Sequence, residues 1–77
     1  MLPDDPRLPK LWLPGKVVRQ RVTLVDDQVA VVFTYDDGLE VTFFVDEDRA
    51  RFEANRSYTV DADGVVVFEG HERPKPS

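Results

Sequence analysis

From Val17 to Phe68 the chain alternates apolar and polar positions in short runs separated by acidic turns. Between Val17 and Val25, Val18, Val22 and Leu24 share one parity while Arg19, Arg21 and Thr23 share the other, the period of two expected of a half-buried strand. Asp26 and Asp27 predict a turn. Val29, Val31, Phe33 and Tyr35 carry a second strand up to Asp36-Asp37-Gly38, a hairpin signal because glycine tolerates positive φ. Leu39, Val41, Phe43 and Val45 supply the third strand, so these residues predict an antiparallel meander.

The segment Asp46 to Asn55 reads DEDRARFEAN and predicts one or two helical turns. Asp46 suits a cap, Glu47 and Asp48 suit a helix N-terminus, and Asn55 suits a left-handed stop. Phe52 would anchor that turn on the end of the fold. Ser57 to Val60 is a short fourth strand with Tyr58 and Val60 inward, Asp61 to Gly64 a turn, and Val65 to Glu69 a fifth strand. The predicted class is all-β: a small five-stranded antiparallel meander curling into an SH3-like or OB-like barrel, with one short helical turn between strands three and four.

The opposite parity is not uniformly polar, since Val17, Ala30, Val32, Phe44 and either Val65 or Val67 form a second apolar set. That set predicts a covered second face. Its cover would be the Leu11-Trp12-Leu13 segment of the same chain or another subunit. Pro3, Pro6, Pro9 and Pro14 prevent a helix or a central strand from propagating through residues 1–16, which are expected to form an extended arm. Residues 17–70 are the expected β-barrel domain, and residues 71–77, with Pro74 and Pro76 among charges, a disordered or loosely attached tail.

Seventy-seven residues without a cysteine must be stabilised by packed side chains or by association with another chain. Ten basic against fifteen acidic residues give a formal charge of -5, which disfavours nucleic acid as a partner through long-range repulsion. No apolar run approaches the ~20 residues that span a bilayer, and MLPDDPRLPK has neither a basic nor an apolar leader pattern. A soluble, cytoplasmic protein without a membrane partner is expected. Isoleucine is absent and arginine outnumbers lysine, a bias of GC-rich codon usage that points to a bacterial or phage source.

Leu11, Trp12 and Leu13, on a proline-bounded arm, are candidates for contact with a protein partner, together with Val32 and Phe44 on the second face. The competing reading is intramolecular, with Trp12 covering its own domain. Arg19, Arg21, Phe44 and Arg51 are the candidate single-strand nucleic-acid surface, against which stands a solvated face of paired arginines. Asp26 and Asp27 with Asp46 to Asp48 are placed at one end of the meander, Asp36 and Asp37 with Asp61 and Asp63 at the other. Asp61-Ala62-Asp63-Gly64 lacks the further oxygen ligands of a calcium loop and is read as a turn, so no metal or other cofactor is expected.

His71 is the sole histidine, and no nucleophile elbow, phosphate loop, dinucleotide fingerprint or zinc spacing is present. No catalytic residue and no small-molecule substrate are implied. The leading expectation is a non-enzymatic protein-interaction module that binds itself or a larger assembly through the Trp12 arm and an exposed strand edge. A single-stranded nucleic-acid module is the alternative. The third is an acidic inhibitor occupying a basic site on another protein through surfaces such as Asp36 and Asp37.

Overall fold

The computed structural model describes residues 6–73, which form seven strands: β1 (Lys10–Trp12), β2 (Val17–Val25), β3 (Gln28–Tyr35), β4 (Glu40–Val45), β5 (Ala50–Ala54), β6 (Tyr58–Val60) and β7 (Val65–Phe68). They make two sheets. One is the antiparallel meander β2-β3-β4-β5, and the other has the order β1-β7-β6, with β1 parallel and β6 antiparallel to β7.

The turns explain the meander. Val25 pairs with Gln28 across Asp26 and Asp27, whose φ values of 51° and 65° are those of a type I′ turn, the form whose twist matches the strands it joins. Aspartate tolerates this left-handed region better than most residues. At the next turn the Tyr35 amide donates to the Leu39 carbonyl at 2.7 Å, and Gly38 takes a φ of 91° between them.

The predicted helical turn is absent. Asp46 uses its capping capacity differently: its Oδ1 accepts from the amides of Asp48 and Arg49 at 2.8 and 3.0 Å, closing a tight turn rather than opening a helix. Residues 50–54 then alternate as a strand, with Phe52 opposite Phe43 and Ala54 opposite Val41. Pairing with β4 overrides helix propensity because it buries Phe52 and Ala54 against the core. Asn55 keeps a negative φ instead of a left-handed stop, accepting from the Glu40 amide at 2.9 Å and donating to the Gly38 carbonyl at 3.1 Å.

Nor does the sheet close into a barrel. Phe33, Tyr35, Leu39, Val41 and Phe43 on one side of the meander pack against Val66 and Phe68 of β7, giving a two-layer sandwich with an open ladder at the outer edge of each sheet. The chain changes layer at residues 55–57, and β6 starts the second sheet instead of extending the first. Phe33 meets Phe43 edge to face at 5.8 Å between ring centres, and Phe52 and Tyr58 both meet Phe68 edge to face.

The arm contributes β1. Lys10, Leu11 and Trp12 pair with Val65, Val66 and Val67, while Leu8, Leu11 and Leu13 join the rim of the core. Pro9 and Pro14 are compatible with this because β1 lies at a sheet edge, where a missing amide donor need not break a ladder. The start of the tail is attached: the His71 amide donates to the Phe68 carbonyl at 2.9 Å, and Arg73 pairs with Asp61. The arm's first five residues and the tail's last four, including Pro3, Pro74 and Pro76, lie outside the described residues.

Because β7 alone supplies the buried side chains of the smaller sheet, Phe68→Ala is expected to lower stability by about 3–5 kcal/mol, and Leu11→Ala, on the half-buried rim, by about 2 kcal/mol. Urea unfolding followed by circular dichroism measures both. Equal, small effects would mean that the two sheets are not the cooperative unit.

Candidate interaction surface

The residues singled out for protein contact fall in three places. Leu11 and Leu13 belong to the core between the sheets. Trp12, of opposite parity in β1, lies on the outer side of the smaller sheet beside Val67, with the Arg73 guanidinium 5.7 Å from its ring centre. It is half-buried against its own chain. Val32 and Phe44 lie on the far side of the larger sheet, at 4% and 2% exposure.

That far face covers itself. Strand register sets Thr23, Ala30, Phe44 and Arg51 in one row, Arg21, Val32, Thr42 and Glu53 in the next, and Arg19, Thr34 and Glu40 in a third. The Arg51 guanidinium stacks 4.0 Å from the centre of the Phe44 ring and pairs with Glu53 at 2.9 Å. Its long stem supplies apolar cover while its charged end stays in water. Neither the Trp12 arm nor a second subunit is needed here. The structure does bring Arg19, Arg21, Arg51 and Phe44 onto one face, but the Phe44 ring lies beneath Arg51 instead of standing free.

Several of the acidic residues are committed to turns. At one end of the sandwich Asp37 accepts from Arg56 at 2.8 Å and from the His71 ring, and the Leu39 amide donates to its other oxygen at 3.1 Å. The Arg56 hydrogen bond, then the Leu39 amide and His71, hold its carboxyl well below the usual carboxylate range. Asp46 is lowered chiefly by the Arg49 and Asp48 amides, and Asp61 chiefly by the Val65 amide with help from Arg73. Asp61 and Asp63 lie at the opposite end from the sequence-based expectation. The segment that contains β1 runs from Arg7, which donates to the Asp46 carbonyl at 2.7 Å, to Lys16, whose carbonyl accepts from the Asp36 amide, and Lys10 pairs with Val65 beside the Asp61 turn. Among the described residues no group of three or more acidic or histidine side chains is disposed to hold a metal ion.

A cleft of about 270 Å³ opens along β6 and β7, lined by Ser57, Thr59, Val67, Glu69 and Glu72 among others. Burial pushes the Tyr35 hydroxyl pKa up, and that oxygen has no partner among the described residues. Neither feature pairs a nucleophile with a base.

The surface that sequence reasoning missed is β2. Every one of its nine residues is exposed, including Val22, Leu24 and the bulged Val18, although alternation predicted half burial. Val22 and Leu24 do face the same side as the core, opposite Val31 and Val29, but the three-stranded sheet does not extend over them. A small sheet of three-residue and four-residue strands cannot cover a four-stranded meander, and the sequence carries no signal of this because β1 and β5 do not stand out in it as strands. Among the described residues no helix is long and apolar enough to cross a membrane. Comparison with family models, with curated proteins and with solved structures finds no match.

The turn carboxylates fix an acid response. Asp37, Asp46 and Asp61 have folded-state pKa values below their unfolded values, so their contribution is fully present above about pH 4 and is lost as pH falls through the folded values. The urea midpoint is expected to hold from pH 7 to about 5 and fall below about 4. Asp37→Asn should lower the neutral midpoint and flatten the fall; an unchanged acid slope would show that Asp37 is not linked to folding.

Proposed function

We propose that this chain is a non-catalytic, cytoplasmic binding module that recognises protein through the free edge of β2. One observation carries the reading: a nine-residue strand uses only one of its two ladders and leaves Val22 and Leu24 at 67% and 69% exposure. A long exposed strand offers main-chain donors and acceptors for affinity and alternate side chains for specificity, the arrangement on which strand addition depends. The arm serves this surface indirectly, by holding the smaller sheet in place through β1.

Selection of displayed random peptides against the immobilised full chain tests the reading. Extended peptides with alternating apolar residues are expected, and their binding should shift the backbone amide resonances of Gln20, Val22 and Leu24. Binding that shifts only residues of β6 and β7 would overturn it.

A second reading, single-stranded nucleic acid, rests on Arg19, Arg21 and Arg51 sharing one face. Because Phe44 offers no open ring for base stacking, affinity should be negligible even at low salt. Fluorescence titration with labelled oligonucleotides decides between the two. Binding that weakens with salt and disappears in Arg19→Glu/Arg21→Glu would establish the nucleic-acid reading instead.

A further inference from the structure

We infer that the occupant of the β2 edge is a second copy of this chain, paired antiparallel about a two-fold axis at Val22; this rests on the edge-binding reading above. Edge strands are ordinarily blunted by proline, by short length, by an inward charge or by a bulge. β2 has one bulge, between Val17 and Arg19, and is regular from Arg19 to Val25. The two-residue turn makes Val25 and Gln28 the first hydrogen-bonded pair, so the outward N–H and C=O groups belong to Leu24, Val22 and Gln20.

Charge selects the occupant, and charge with ladder length selects the register, since Thr23 on the axis would leave only Arg21 to Val25 to pair before the turn. Arg19 and Arg21 have no ion pair among the described residues. With Arg21 on the axis, Arg21 would face its own copy; with Gln20 on the axis, Arg19 would face Arg21. Both juxtapose like charges. With Val22 on the axis, Val22 faces Val22, Gln20 faces Leu24, Arg21 faces Thr23 and Arg19 faces Val25, so the ladder spans the regular part of the strand. Arg19 then adjoins Asp26 and Asp27 of the second copy's turn, an opposite-charge contact made twice by symmetry. The same chain therefore carries both halves of the complementary pattern.

Area sets the strength. Val22 and Leu24, at 67% and 69% exposure, leave roughly 200 Å² of apolar surface uncovered at the edge of each copy, and with the ladder itself the pair would bury at most on the order of 1,000 Å², at the weak end of specific association. A dimer with a dissociation constant in the micromolar range is expected.

Sedimentation equilibrium of the full chain from about 1 μM to 1 mM reads this directly, with the mass rising from one copy to two across the range. Val22→Lys sets like charges together on the axis and should raise the dissociation constant at least about tenfold with an unchanged circular dichroism spectrum. Should that variant fail to fold, Arg19→Glu, at an exposed position, provides the second reading: repulsion from Asp26 and Asp27 should weaken the dimer several-fold. A chain that stays monomeric throughout, or a dimer indifferent to both substitutions, overturns the inference. A monomer whose β2 amides still respond to selected peptides overturns the second copy alone, whereas a monomer with no such response overturns the edge-binding reading as well.

Discussion

The smaller sheet is held on the larger one through β7, whose Val66 and Phe68 are its buried side chains and whose two flanks carry β1 and β6. Neither flanking strand exceeds three residues, and a strand that short has no independent stability. The contact of Phe68 with Phe52, and of Val66 with the rest of the core, therefore organises both ends of the chain. The parallel β1–β7 pair also joins residues separated by most of the sequence, so its formation must follow the meander that lies between them. With no cysteine to staple the arm, removing the apolar contacts of β7 would release β1 and β6 together.

The mismatch between the sheets has a direct consequence for the surface. Three short strands cover the middle of the meander, which is why Phe33 and Phe43 are buried while Val22 and Leu24 on the same side are not. The far side of the meander is solved differently, by Arg51 lying over Phe44. Of the open edges, β1 and β6 have three residues and β5 has five. Short length blunts an edge. β2 is long, largely regular and flanked by valines, so the fold concentrates its unsatisfied main-chain groups and its exposed apolar area on one strand.

Much of the larger sheet could be read from the chain because β2, β3 and β4 follow period-two alternation and are joined by Asp-Asp and Asp-Asp-Gly, whose backbone preferences match the turns that form. β6 and β7 were equally visible. β5 was hidden because Ala50-Arg51-Phe52-Glu53-Ala54 satisfies two patterns at once: its residues favour a helix, its alternation suits a strand, and only the presence of β4 decides. β1 was hidden by Pro9 and Pro14, which exclude a central strand but not an edge. The consequences for the site follow from these two strands. Without β5 there is no Arg51 above Phe44, and the alternation alone calls for an external cover on the second face; without β1 the opposite facings of Trp12 and Leu11 cannot be foreseen. The exposure of Val22 was illegible for another reason, since alternation reports which side a residue faces and not whether anything lies there.

Net charge is similarly silent about placement. Asp26, Asp27, Asp37, Asp46 and Asp61 occupy turns, where positive φ, Asx hydrogen bonds or ion pairs give them local work. Arg19, Arg21 and Arg51 stand on a sheet face. The overall charge of -5 is thus in large part a consequence of how the turns are built. At distances beyond the Debye length of about 8 Å a partner senses little of either set, and within it the arrangement near β2 governs the encounter. An approaching strand meets two arginines without an ion pair among the described residues along the edge and two aspartates at its turn, a local separation of positive from negative charge. Such a pattern orients a partner more than it attracts one, and the apolar side chains between the charges then supply the contact.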